Sequence, residues 1–154
     1  MKNRTAAKDT LFRLATGVHR AVFRATKGRV LGRTLGMPVV DLITVGRRSG
    51  QERSTILAVP VVDGDRLVLV ASFGGDDRDP AWYLNLRAHP VVRVTGLGTT
   101  RTMRARTASE EERAALWPRI VNSYKGYANY QTRTRRRIPV VVLEPAAVAD
   151  NADA

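Results

Sequence analysis

Short apolar runs separated by polar, glycine-marked turns dominate the middle and the end of this chain. Six of these runs have the length and the β-branched content that are typical of strands. Two of the connections, Asp63-Gly64-Asp65 and Gly96-Leu97-Gly98, have the composition of hairpin turns. Pro60 has no backbone N–H and therefore indicates an edge or a bulge within its run. The predicted strands span residues 39–45, 55–62, 66–71, 91–95, 99–106 and 138–143.

The N-terminal segment has the periodicity of an amphipathic helix. Residues 8–26 are predicted to form this helix, which has a basic face and ends at Gly28. Residues 29–38 contain several glycines and are predicted to be a connector. The apolar face of the predicted helix consists of Leu11, Leu14, Ala15, Val18 and Val22.

Further helices are predicted at two places. Asp79-Pro80 opens a short helix that carries Trp82, and Ser109 with Glu112 forms a capping box that begins another. Pro118 is expected to kink that second helix or to end its first segment. Three phenols then follow at a spacing of three residues, near one helical face, where they can line one wall: Tyr124, Tyr127 and Tyr130.

These elements predict an α+β fold built on a split antiparallel barrel of about six strands. Short strands joined mostly by hairpins favour such a barrel because closure removes exposed edges. A chain of 154 residues, 44% of them hydrophobic, suits a single core. The predicted organisation is an N-terminal helix and connector at 1–35, the barrel domain at 36–145, and a poorly ordered tail at 146–154.

Composition narrows the range of functions. Lys and Arg total 26 against 14 acidic residues, which gives a net charge of +12. The excess is almost wholly arginine, whose planar guanidinium suits phosphate and carboxylate groups. The absence of cysteine excludes disulfides and thiolate catalysis and is compatible with the cytoplasm. No apolar run reaches the roughly 20 residues that a membrane-spanning helix needs.

The candidate chemistry centres on residues 46–53, with the sequence GRRSGQER. The two glycines allow a ligand to approach the backbone closely. Arg47, Arg48 and Arg53 can donate charge-assisted hydrogen bonds to a phosphate, although an ordinary solvated hairpin loop would have the same composition. The two histidines lie far apart in the chain and have no ligand spacing, so no metal site is predicted.

Several motifs together resemble the deazaflavin-dependent nitroreductase family, a branch of the split β-barrel flavin-binding proteins. They are GRRSGQxR at 46–53, ASxGG at 71–75, PAWYLNLRAHP at 80–90, and SYKGYANYQ at 123–131 followed by RxIPVVVLEP at 136–145. The motifs occur in the order of the family and cover about two thirds of the chain, which makes the set more specific than any one member.

The resemblance implies that the chain binds coenzyme F-420, an 8-hydroxy-5-deazaflavin, in preference to FMN. In the family the arginine loop is associated with the phosphate and the acidic tail of the coenzyme, and the ASxGG segment borders the deazaflavin ring. Trp82 could instead be a core residue and Ser72 a locally satisfied turn residue. The implied cofactor-binding residues are Arg47, Arg48, Ser49, Gly50, Arg53, Ala71, Ser72, Gly74, Gly75, Trp82 and Asn85.

The implied reaction is the transfer of hydride from reduced F-420 to a hydrophobic acceptor such as a quinone or a nitroaromatic. The protein then has to position the reactants and donate a hydrogen bond to the acceptor oxygen. Phe73 replaces the small or polar residue that is common in the family, so the acceptor need not match that of any one relative. The catalytic candidates, with Tyr130 first, are Tyr130, Tyr127, Tyr124 and Ser72.

Alternatives to this function stay open on the sequence alone. The same fold can bind FMN or haem, or can carry a lipid or fatty acid without redox chemistry. The charge also suggests a nucleic-acid-binding module, but the aromatics cluster in two helices and no recognition motif is present, so no nucleic-acid partner is expected.

The expected partner is therefore a small hydrophobic acceptor, and the chain is expected to be a monomer or a homodimer. The expected location is cytoplasmic. The basic N-terminal helix could also lie peripherally on the anionic inner face of the membrane, or it could pack on the barrel with a solvated face.

Overall fold

The computed structural model describes residues 21–28 and 32–147, and an antiparallel sheet forms the body of this part of the chain. Residues 21–25 are helical, and a 3₁₀ turn at Phe73–Gly75 joins the fifth strand to the next helix. The helices that follow are α1 Ala81–Ala88, α2 Glu110–Ser123 and α3 Gly126–Arg133. The strands are β1 Arg33–Thr34, β2 Met37–Val45, β3 Glu52–Ala58, β4 Val61–Asp63, β5 Arg66–Val70, β6 Val91–Gly96, β7 Thr99–Thr107 and β8 Val140–Pro145.

The sheet curls into a half barrel in which every pairing is antiparallel. Its order is β1-β2-β6-β7-β8-β5-β4. Strand β3 also pairs with β2, along the edge opposite to β6. The last strand of the chain, β8, lies between β7 and β5 and so joins the two halves of the sheet. The predicted α+β class with a split antiparallel barrel is confirmed.

The two faces of this sheet carry separate apolar cores, because successive residues of a strand point to opposite faces. On β5, Leu67 and Leu69 point into the barrel, where Trp82 of α1 packs with them. Val68 and Val70 point outward and pack with residues of α2 and α3. Helix α1 therefore lies on the inner face and α2 with α3 on the outer face, and residues that follow β5 lie between the two.

The predicted strand at 55–62 is wrong, because the structure divides this run. Strand β3 ends at Ala58 and β4 begins at Val61. Between them the Val59 N–H donates to the Pro38 carbonyl at 2.8 Å, whereas Pro60 has no N–H to continue the ladder. The chain therefore leaves β2 at this point and turns to pair with β5.

Other strand predictions change by a few residues. The predicted connector contains the short strand β1 and the start of β2. Together with the division of the run at 55–62, this gives eight strands in the described part of the chain, where six were expected. Strand β8 begins at Val140, two residues after the predicted start, and ends at Pro145. Both predicted hairpin turns are confirmed. Residues 148–154 of the predicted tail lie outside the described residues.

Among the helices, the capping box is confirmed and the effect of Pro118 is not. The Glu112 N–H donates to the Ser109 hydroxyl at 3.2 Å, and the Ser109 N–H donates to the Glu112 carboxylate at 3.0 Å. Helix α2 continues through Pro118 to Ser123. Of the two expected effects of Pro118, the end of the first segment is therefore wrong, and the kink stays a prediction. Tyr124 caps α2 outside regular helix geometry, and therefore does not share a helix with the other two tyrosines.

The end of the N-terminal helix is fixed to the sheet by residues outside the predicted apolar face. Phe23 is fully buried, while its neighbour Val22 is 36% exposed. The Arg24 guanidinium donates to the buried carboxylate of Asp41, which also accepts from the Ser54 hydroxyl. The chain then turns at Gly28, as predicted, with φ of +76°. Residues 8–20 of the predicted helix lie outside the described residues.

Candidate functional site

The arginine loop forms a tight turn between β2 and β3. The Gly46 N–H donates to the Gln51 carbonyl, and the Gly50 N–H donates to the Gly46 carbonyl, both at 2.8 Å. Gly50 has φ of +67°, a conformation that glycine adopts without steric cost. A Cβ on Gly46 would lie 2.5 Å from the Ser49 hydroxyl. The backbone of the turn therefore favours glycine at position 50, whereas a Cβ at position 46 would require the Ser49 side chain to move.

Asn85 attaches this loop to helix α1. Its side-chain oxygen accepts from the Arg47 backbone N–H at 3.1 Å and from the Arg47 guanidinium at 3.4 Å. Its side-chain nitrogen donates to the Thr44 hydroxyl at 3.3 Å. Asn85 is only 5% exposed. The structure thus gives it a role in positioning the loop, in addition to its place beside the groove described next.

A groove of about 420 Å³ lies between the arginine loop and α1. Arg47, Arg48 and Arg53 are all exposed, and within the described part of the chain no carboxylate forms an ion pair with them. Three guanidinium groups without carboxylate partners in the described residues, on one loop, are suited to bind an anion. The lining residues are Gly46, Arg47, Arg48, Ser49, Arg53, Ser54, Thr55, Ala81, Trp82 and Asn85.

Trp82 belongs to both the groove and the inner core. Its side chain is 7% exposed and packs with the barrel interior, and its ring meets the Tyr83 ring edge to face, with 6.2 Å between centroids. The sequence allowed two interpretations of Trp82, as a core residue and as a residue of the cofactor groove. The two are compatible, because the buried indole also forms part of the groove wall.

The glycine turn that follows β5 is held by a residue that sequence reasoning missed. Arg136 donates to the carbonyls of Ala71 at 3.0 Å, Ser72 at 2.9 Å and Asp76 at 2.8 Å, and it forms an ion pair with Asp79 at 3.0 Å. One guanidinium thus fixes the whole connection between β5 and α1. Arg136 is the arginine of the RxIPVVVLEP motif, so the motif was a signal that could have indicated this residue. Nothing in the sequence indicated its hydrogen-bond partners.

Ser72 is the first residue of this turn, and its hydroxyl is available as a hydrogen-bond donor. Its carbonyl accepts from the Gly75 N–H at 2.8 Å, but within the described residues its hydroxyl forms no hydrogen bond and does not cap the turn. Gly74 and Gly75 have φ of +65° and +85°. A Cβ on Gly75 would lie 2.8 Å from the Tyr130 carbonyl, so the turn packs directly against α3.

Three tyrosine rings form a compact cluster on the outer face. The centroids of Tyr124, Tyr127 and Tyr130 lie between 5.6 and 6.3 Å apart. Burial raises the pKa of the Tyr127 phenol to about 12, and the other two tyrosines contribute. A hydrogen bond with Tyr124 and partial burial also raise the pKa of Tyr130. Both phenols therefore stay protonated and can donate hydrogen bonds at neutral pH.

The predicted site residues consequently fall into two groups. The arginine loop, Trp82 and Asn85 line one groove. The segment 71–75 and the tyrosines do not line it; they meet at the end of β5, where α3 contacts the 3₁₀ turn. The loop from residue 72 to residue 80 joins the two groups, since it begins at the turn and ends where α1 starts.

Comparison with known proteins gives the family of this chain. A model of the F-420H(2)-dependent quinone reductase family matches residues 15–145. The chain belongs to this family. Its members are oxidoreductases, and an F-420H(2)-dependent quinone reductase of Mycobacterium tuberculosis is 42% identical over 132 residues, which cover 82% of this chain and 87% of the relative.

Solved structures agree with this assignment. The structure of an F-420-H2 dependent reductase matches with a TM-score of 0.64 and 39% identity, covering 70% of this chain and 94% of that one. A domain-swapped dimer matches with a TM-score of 0.65 and 34% identity, covering 84% of this chain and 98% of that one.

Residues 21–28 and 32–147 contain neither a candidate metal site nor a candidate membrane-spanning helix. No three His, Asp or Glu side chains come together there as metal ligands. No helix in this part of the chain is both long and apolar enough to span a bilayer.

Proposed function

We propose that this protein binds coenzyme F-420 in the groove beside the arginine loop and catalyses hydride transfer from the reduced coenzyme to a quinone. The observation that carries the proposal is the groove itself, where three arginines that have no carboxylate partner among the described residues lie beside Trp82. Family membership supports the same activity, because the relatives described above are F-420-dependent quinone reductases. Nitroaromatics are a second acceptor class, with the same planar shape and an oxygen that gains charge as hydride is transferred.

The hydrogen-bond donors of the arginine loop fit the negative charge of the coenzyme. Its phosphodiester and glutamate groups are anions, and guanidinium groups bind such oxygens through paired, charge-assisted hydrogen bonds. Gly46 and Gly50 keep this part of the loop free of bulk. The coenzyme, when bound, supplies the hydride. Arg47, Arg48 and Arg53 would hold its acidic portion, and Ala71, Ser72, Gly74 and Gly75 would border its ring.

The remaining task of the protein is to stabilise the acceptor oxygen as it gains charge. The Ser72 hydroxyl has no partner in the described part of the chain and can donate to that oxygen. Tyr130 is the first choice among the tyrosines, because its helix contacts the turn that begins at Ser72. Its raised pKa keeps the phenol protonated. Tyr124 and Tyr127 pack against it and orient its ring.

Replacement of Tyr130 by Phe tests this donor. We expect kcat to fall by about a hundredfold to a thousandfold, since loss of one donor to an oxygen that gains charge costs that order of rate, with F-420 affinity unchanged. Ser72→Ala provides the parallel measurement for the other donor. A Tyr130→Phe variant with the wild-type kcat for several quinones would remove Tyr130 from the mechanism.

The first experiment is a fluorescence titration of the purified protein with oxidised F-420, beside FMN, at physiological salt. Saturable and selective binding of F-420 is the expected result, followed by quinone-dependent oxidation of the reduced coenzyme. Preference for FMN would keep the fold and overturn the cofactor. Binding of neither would favour the lipid-carrier alternative.

Two further features of the assembly belong to this proposal. The N-terminal helix is proposed to contact the anionic inner face of the membrane. The exposure of Val22, on the predicted apolar face, supports this contact, and Phe23 and Arg24 fix the helix to the sheet.

A homodimer is proposed as one assembly state. The domain-swapped dimer among the similar structures supports it.

A further inference from the structure

Phe73 has an unusual backbone conformation and an unusual exposure. Its φ is +45°, in the left-handed region that bulky side chains rarely adopt. Its side chain is nevertheless 51% exposed, so burial of the ring does not compensate for the strain. A strained residue persists when the surrounding structure fixes it, and such residues cluster at functional sites.

The surroundings of Phe73 do fix it. Arg136 holds the carbonyls on both sides of the turn, those of Ser72 and Asp76, and the Asp76 N–H donates to the Phe73 carbonyl at 3.1 Å. The backbone therefore has little freedom to relax. A glycine here would permit the same turn without strain, so the fold alone does not account for a phenyl ring at this position.

A cation lies against the ring and completes a small platform. The Arg78 guanidinium is 5.6 Å from the centroid of Phe73. Asp76 fixes this guanidinium through two hydrogen bonds of 2.9 Å. The exposed ring and the fixed cation form a surface that suits a planar, electron-poor ring with anionic or carbonyl oxygens at its edge.

The platform adjoins Ser72 and lies close to the helix that carries Tyr130. Ser72 immediately precedes Phe73, and Tyr130 is on the helix that packs against Gly75, two residues after it. We propose that Phe73 is a specificity-determining residue of the acceptor site, where its ring packs against the planar ring of a quinone or nitroaromatic. This inference rests on the proposed function and names a residue that recognises its acceptor.

The test compares Phe73→Gly with Leu97→Gly as a matched control. Leu97 is also a large exposed residue at positive φ, with φ of +55° and 44% exposure, but it lies in the β6–β7 hairpin. Glycine relieves strain at both positions, so neither variant should lose thermal stability. Any difference in kinetics between the two variants therefore measures the contribution of the Phe73 ring.

Steady-state rates are measured with reduced F-420 and two acceptors, a naphthoquinone (menadione) and the smaller benzoquinone. We expect Phe73→Gly to raise the KM for menadione by about tenfold with kcat within about twofold, the pattern of a lost binding contact. The KM for benzoquinone should rise less. Phe73→Tyr, which keeps the ring, should restore the KM for menadione, and Leu97→Gly should leave both values at those of the wild type.

An unchanged KM for both acceptors in Phe73→Gly, with an active wild type, would overturn the assignment of Phe73 alone. A wild-type protein that does not bind F-420 in the titration would overturn the proposed function and this inference with it. Loss of F-420 affinity in Phe73→Gly, without a change in KM for the acceptor, would place the ring against the coenzyme and also overturn the inference.

Discussion

At the scale of single residues, the arginines beside the groove lead to a prediction about the affinity of the protein for F-420. Arg53→Ala removes one guanidinium from the groove, and a charge-assisted hydrogen bond contributes about 1.5–3 kcal/mol. We expect the Kd for F-420 to rise roughly tenfold to a hundredfold. The fluorescence titration measures this change, and repeating it at higher salt should show a smaller salt dependence in the variant.

Arg119→Ala is the control for this experiment. It removes the same charge, but from an ion pair with Asp63 on the β4–β5 hairpin. Equal weakening in both variants would mean that net charge, and not the arginine loop, attracts the coenzyme.

A second prediction at this scale concerns pH. Burial raises the pKa of Tyr127 from 10.0 to about 12 in the folded state. The folded protein therefore keeps a proton that the unfolded chain loses above pH 10, so this contribution to stability is complete below pH 10 and is lost as the pH rises toward 12. Two pKa units correspond to about 2–3 kcal/mol at most.

Urea unfolding at pH 9, 10 and 11 tests this, with Tyr127→Phe as the comparison. The wild type should lose more stability than the variant over this interval, because phenylalanine has no proton to lose. Parallel losses in the two proteins would show that Tyr127 does not carry the effect.

At the scale of elements, the connection between β5 and α1 depends on Arg136 more than on its own sequence. Lysine at this position can keep the ion pair with Asp79 but cannot reach all three carbonyls from one planar group. We expect Arg136→Lys to lower the free energy of unfolding by about 1–3 kcal/mol. We also expect faster tryptic cleavage after Arg78, an exposed residue within the released loop.

The neighbouring substitution Arg137→Lys is a matched control, since Arg137 is exposed and pairs only at the surface with exposed Glu110. Surface ion pairs of this kind contribute little. If Arg136→Lys unfolds and is cleaved like Arg137→Lys, the hydrogen bonds of Arg136 do not hold the loop.

At the scale of the whole molecule, the high positive charge and the exposed Val22 lead to a prediction about membranes. The protein should co-float with vesicles that contain about 30% anionic lipid and not with neutral vesicles. Val22→Gln should weaken partitioning by roughly tenfold, the effect of withdrawing one apolar side chain from the bilayer. Val62→Gln is the control, because Val62 is similarly exposed, at 41%, on strand β4.

The features that depend on local patterns could be predicted from the sequence alone. Hairpin turns, the capping box at Ser109 and the strands around them follow from neighbouring residues, because turn chemistry and side-chain alternation act over a few positions. The residues of the four motifs, in the order of the family, carried the resemblance to it. The interruption at Pro60 was visible in the sequence as an edge or bulge, although its result, two separate strands, was not.

Only the tertiary structure decided which distant residues meet. Arg136 lies more than fifty residues from the carbonyls that it binds, Asn85 reaches back to the arginine loop, and Arg24 pairs with buried Asp41. The separation of the tyrosines from the groove of Trp82 likewise follows from the packing of α1 and α3 on opposite faces of the sheet. Such contacts depend on strand pairing between remote segments, which no local periodicity specifies.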